Sequence, residues 1–81
     1  MGKITDSEVI QLVQQALRIK NRNLTLDSSM QNVQEWDSLG HLGILVVLDR
    51  FFDGKIAGIK DFVNADSVQK ILQILKSNSL M

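Results

Sequence analysis

The sequence predicts an all-α fold, a small four-helix bundle made of three main helices and one short one, with a long loop between the first two. Three observations carry that expectation. Apolar residues recur at helical spacing in three separate stretches. No stretch alternates convincingly with the period of two that a half-buried strand requires. The chain has 81 residues and no proline, so it forms one domain around one small core, with nothing to break a helix from within.

The first helix is predicted over residues 7–20. Thr5 and Glu8 have the spacing of a capping box. Val9, Leu12, Val13, Ala16 and Leu17 make one apolar stripe, and Lys20 and Arg22 stand near the end, where cations suit the helix dipole. Residues 24–36 then read as a long loop pinned to the core by Leu24, Leu26, Met30 and Val33, with turn chemistry at Asp27-Ser28-Ser29. A loop this long in a small domain points to a function. The second helix is predicted over residues 38–52, with Asp37 as N-cap. Asp53-Gly54 ends it, Gly54 being suited to the left-handed position. Residues 59–64 read as one short helical turn. The last helix is predicted over residues 67–76, capped by Asp66 and buried along Val68, Ile71, Leu72 and Leu75. The domain core thus spans about residues 5–76, with a frayed tail over 77–81.

Composition excludes several function classes. There is no cysteine and one histidine, so neither a disulfide framework nor a Cys- or His-rich metal site is expected. No apolar run is long enough for a transmembrane helix. The first residues carry neither the apolar stretch of a signal peptide nor the myristoylation pattern, and a soluble, cytoplasmic monomer is expected. Formal net charge is zero, but the acids concentrate in the middle: Asp27, Glu35, Asp37, Asp49 and Asp53 stand there against Arg50 alone. No segment is basic enough for a nucleic-acid footprint. A chain this short leaves little room for an active-site cavity, which favours a binding or carrier module over an enzyme.

The second helix carries more apolar surface than one bundle contact needs. Ile44, Leu45, Leu48 and Phe52 form one stripe. Leu39, Leu42 and Val46 form another, which is read as a partly exposed docking surface for partners, the alternative being a central helix buried on most sides. Ser38 lies beside that second stripe, where a loop meets a helix N-terminus whose unpaired N–H groups and dipole favour a phosphate. Asp37, Ser38 and His41 do not make a catalytic triad, because one helical turn cannot align their hydrogen bonds and no oxyanion hole is evident. His41 reads as a structural or half-exposed residue at the core's edge, and Trp36 as a partly buried anchor for the loop.

The run Glu35-Trp36-Asp37-Ser38-Leu39-Gly40-His41-Leu42, followed by Ile44-Leu45-Val46-Val47-Leu48-Asp49-Arg50-Phe51-Phe52, closely resembles the second-helix motif of acyl carrier proteins. Chain length, the long first loop, Ile56, and Asp66-Ser67-Val68 with Ile71 extend the resemblance over roughly residues 5–76. The resemblance implies a four-helix bundle that is not itself an enzyme. It implies that a phosphopantetheinyl transferase attaches 4′-phosphopantetheine, taken from coenzyme A, to Ser38. The arm's thiol would then carry acyl, aminoacyl or polyketide-like groups delivered by a loading ligase or synthase. It also implies that Asp37 takes part in transferase recognition, and that Leu39 and Leu42, with Val46 and Phe51, contact partners.

The sequence departs from the family at Gly40 and Gly43, positions that are often acidic, and at Arg50 and Phe51, in a stretch usually rich in glutamate. Fewer acids imply less basic partners, and a dedicated lipid or secondary-metabolite pathway in place of general fatty-acid synthesis. Each glycine costs about 0.8–1 kcal/mol relative to alanine inside a helix. The expectation is a bare strip against which a partner or the cargo packs. The alternatives are a peptidyl or aminoacyl carrier and, from a different class, an unmodified helical interaction module.

Overall fold

In the computed structural model, which describes residues 4–81, three α-helices and one 3-10 turn follow each other along the chain. They are α1 (Asp6–Ala16), α2 (Ser38–Phe51), the 3-10 turn (Lys60–Asn64) and α3 (Val68–Ser77). The all-α class is therefore as predicted, but the short fourth helix is a five-residue 3-10 turn. Met1–Lys3, on which the leader and acylation readings fall, lie outside the described residues. Among the described residues there is no strand, only an isolated antiparallel bridge between Ser29 and Ser67. No described helix is long and apolar enough to cross a membrane.

The capping box of α1 forms as predicted. The Thr5 side chain accepts from the Glu8 N–H at 3.2 Å, and Glu8 accepts from the Thr5 N–H at 3.0 Å. Val9, Val13 and Leu17 recur every fourth residue and are buried. The helix stops at Ala16, short of the predicted residue 20. The reason is a Schellman closure: Arg18 takes a left-handed φ of 59°, and the Ile19 N–H reaches the Gln14 carbonyl at 3.2 Å. Ile19 is thereby buried in the core.

The same closure ends the other two helices. Asp53, not Gly54, holds the first left-handed position after α2 (φ 57°), and Gly54 follows at 81°, its N–H on the Asp49 carbonyl at 2.7 Å. After α3, Ser79 (φ 58°) turns the chain so that the Leu80 N–H meets the Leu75 carbonyl at 2.9 Å. The expected frayed tail is therefore folded back. Ser77 belongs to α3, and Leu80 and Met81 pack partly buried against the core. The α3 cap is Ser67, whose hydroxyl accepts from the Lys70 N–H at 3.1 Å. Asp66 is not that cap; it pairs with Lys70 at 3.0 Å.

The long loop has no regular element, as predicted, yet it is tied down throughout. Gln14 of α1 accepts from the Leu24 N–H at 3.1 Å and donates to the Ile19 carbonyl at 3.3 Å. Further along, the Met30 N–H donates to the Asp66 carbonyl at 2.9 Å, and the Val68 N–H to the Ser28 carbonyl at 3.0 Å. Leu24, Val33 and Trp36 are the buried pins; Met30 is half-buried, and Leu26 points outward, 47 % exposed. Trp36 is buried completely, further than a partly buried anchor. The core gathers Val9, Val13, Ile44, Leu48, Phe62, Val68, Ile71 and Leu75. Each large side chain there contributes about 1.5–3 kcal/mol by leaving water. The radius of gyration is 11.6 Å, matching the ~11.7 Å expected of a compact chain of this length.

Candidate functional site

The turn from Glu35 to His41 places Ser38 at the first position of α2. Asp37 is the N-cap: its Oδ1 accepts from the Gly40 N–H at 2.8 Å, and its carbonyl accepts from the His41 N–H at 2.8 Å. Because Asp37 supplies the cap, the Ser38 hydroxyl is not used for it, and Ser38 is exposed. The Ser38 and Leu39 N–H groups belong to the unpaired first turn, with the positive end of the dipole beside them.

The local acidity read from the sequence is largely committed to structure. Glu35 pairs with Arg22, and that hydrogen bond holds its carboxyl below the usual glutamate range. Asp49 accepts from the Ile56 and Ala57 N–H groups at 3.1 and 2.9 Å, shaping the segment after α2. Among the described residues no group of three or more acidic or histidine side chains gathers as a metal site.

α2 advances about 100° per residue, which separates the predicted partner residues into two sets. Leu39, Leu42 and Val46 share an outward side and are 79, 58 and 49 % exposed. Phe51, though half-exposed, lies on the side facing α1, where it borders a groove with Leu12, Gln15, Val47 and Arg50. The two glycines lie on that α1 side too. A Cβ on Gly40 would collide with the Glu35 carbonyl oxygen and come within 2.8 Å of Leu17 Cδ2, whereas one on Gly43 would meet only the Ala16 carbonyl oxygen at 3.6 Å. Gly40 is therefore not part of a bare partner-facing strip: it lets the turn and α1 close on the helix. Gly43 is half-buried, with room for a Cβ beside α1.

Two features escaped the sequence reading. The first is His41, which is buried, with both ring nitrogens engaged: Trp36 Nε1–H donates to Nδ1 at 3.1 Å, and Nε2 lies 2.7 Å from the Phe62 carbonyl oxygen. An indole N–H can only donate, so Nδ1 is the acceptor and Nε2 carries the proton. The five-residue separation of a tryptophan and a histidine across an N-cap was the available signal. The second is Val63, 68 % exposed, which with Val46 lines a cleft of about 310 Å³. Leu45, Ile56, Ala57, Ile59 and Phe62 complete its apolar lining, and Lys60 and Asp49 are its charged members. The apolar residue at position 63 hinted at it, but the weak helical pattern there gave no face.

Comparison with protein-family models, with curated proteins and with solved structures returns no match.

Proposed function

We propose that this chain is a carrier protein of the acyl-carrier kind, with Ser38 as the attachment point for 4′-phosphopantetheine. The observation that carries the reading is the exposed Ser38 hydroxyl at the start of α2, released from capping duty by Asp37 and set in the field of the helix N-terminus. In the reaction, Ser38 Oγ bonds to the phosphorus that bears the pantetheine. The P–O bond to the adenosine nucleotide of coenzyme A breaks, and the hydroxyl proton passes to a base on the transferase. Asp37 contributes to transferase recognition. The arm's thiol carries the cargo, and the chain performs no catalysis of its own.

Leu39, Leu42 and Val46 fit the role of docking surface for the transferase and for loading enzymes, because a helix that exposes three large apolar side chains in a row is unlike an ordinary surface helix. Val63 across the cleft widens that surface. The reading places the protein in the cytoplasm, as a monomer serving a dedicated lipid or secondary-metabolite pathway; a peptidyl or aminoacyl carrier is the variant within the class. The same exposed residues also favour a second reading, an unmodified helical module that docks partners without an arm.

One experiment separates the two. Incubation with coenzyme A, magnesium and a broad-specificity phosphopantetheinyl transferase, followed by intact-mass measurement, is expected to show one added phosphopantetheine on the wild type and none on Ser38→Ala. A wild type that stays unmodified while a control carrier is converted sinks the carrier reading and leaves the interaction module.

A further inference from the structure

Three successive residues of the attachment turn lie against the first turn of α2, two of them hydrogen-bonded to it. The Glu35 carbonyl lies against Gly40, Trp36 reaches His41 through its indole, and Asp37 holds the Gly40 and His41 amides. Ser38 and Leu39 are the residues enclosed by this clamp. Of its fastenings, only the Trp36–His41 bond is made between two buried side chains, and only His41 extends it further, to the Phe62 carbonyl in the 3-10 turn. No buried side-chain nitrogen or oxygen among the described residues lacks a partner, so the chain from Trp36 through His41 to Phe62 is fully satisfied. A satisfied buried polar chain fixes one arrangement, because each alternative leaves a buried group without its partner.

We infer that His41 is a positioning residue for Ser38: by accepting the Trp36 N–H on Nδ1, it locks the attachment turn in the shape that presents the hydroxyl to the attaching enzyme. The inference rests on the carrier reading for its kinetic consequence, but the lock itself is a property of the fold. The His41 ring is hydrogen-bonded to Trp36 and the Phe62 carbonyl and not to the Ser38 hydroxyl, so it acts through Trp36 and the turn. Its second bond, to the Phe62 carbonyl, ties the ring to the 3-10 turn.

The two nitrogens can be tested separately. His41→Asn retains an acceptor near Nδ1 and loses the donor to Phe62; His41→Gln retains a donor near Nε2 and loses the acceptor. Trp36→Phe removes the indole N–H and leaves an aromatic ring in place. Arm attachment from coenzyme A by a broad-specificity transferase gives kcat/KM per folded molecule, and hydrogen exchange is read at the Gly40 and His41 amides against the Val13 and Leu75 amides. We expect kcat/KM to fall about tenfold in Trp36→Phe and His41→Gln and to stay near wild type in His41→Asn. Exchange is expected to accelerate at Gly40 and His41 alone in the two slow variants. Equal rates in all folded variants, or equal loss in His41→Asn and His41→Gln, overturn the inference. If a His41 variant does not fold, Trp36→Phe tests the same bond. If the wild type takes no arm, the carrier reading fails, and the exchange measurement still decides the lock: unchanged Gly40 and His41 protection in Trp36→Phe refutes it.

Discussion

On one side of α2, Ile44 and Leu48 are sealed from solvent; on the other, Leu39, Leu42 and Val46 are about half or more exposed. The residue types on the two sides are the same. Apolar content alone therefore does not say which side is core. The difference comes from what the rest of the chain can cover. α1, Trp36 and Phe62 close over one side, with α3 side chains in the same core, and none of the described residues closes over the other. A stripe left uncovered by so small a fold is available to a partner, while its buried counterpart sets stability. Mutations on the two sides should accordingly fail in different assays.

The largest contrast is between Leu48→Ala and Leu42→Ala. The first is expected to cost about 2–5 kcal/mol in urea unfolding, because it opens a cavity in a closed core. The second is expected to change stability by less than about 0.5 kcal/mol while lowering the rate of arm attachment. A stability loss at Leu42 comparable to that at Leu48 would erase the distinction between the sides.

The glycines sharpen the comparison on the α1 side. Gly40→Ala is expected to destabilise by about 1–3 kcal/mol, since its methyl group meets backbone that cannot move aside. Gly43→Ala has room and is expected to stabilise by up to about 1 kcal/mol through helix propensity. Thermal unfolding of the pair should therefore shift in opposite directions. Shifts of the same sign would show that the close approach of Glu35 to Gly40 does not constrain the turn.

The smallest effects concern two of the exposed ion pairs, Arg22–Glu35 and Lys70–Asp66. Hydrogen bonds from Arg22 and Lys70 hold the Glu35 and Asp66 carboxyls below their usual values. Groups with lowered folded pKa values contribute stability that is present above the ordinary carboxylate range and is lost as pH falls through the lowered values. Denaturant midpoints followed downward from neutral pH should decline slightly, and Arg22→Ala should remove the Glu35 part of the decline. Solvent screening keeps both contributions minor.

Much of the fold was legible because its signals are local. The Thr5–Glu8 box, the Asp37 cap and the α3 stripe each need only a few neighbouring residues to be read. The exposure of Leu39, Leu42 and Val46 was legible as a surplus of apolar surface. What could not be read depended on residues distant in sequence. Gly40 looked like a bare surface position until Glu35 and Leu17 closed around it. His41 was legible as a structural or half-exposed residue at the core's edge, but its two partners, Trp36 and Phe62, were not. The end of α1 was misplaced because Arg18 and Lys20 are good helix formers, and the burial of Ile19, which turns the chain, is a tertiary event.

The three left-handed stops, at Arg18, Asp53 and Ser79, bear on the order in which the molecule assembles. None is glycine, and the conformation costs other L-residues roughly 1–2 kcal/mol. Ile19 and Leu80, which follow two of these stops, offset that cost only once they are packed. In the transition state for folding, the helix middles can therefore form while their ends still run on or fray. Substitutions at Arg18, Asp53 and Ser79 should then change the unfolding rate more than the folding rate.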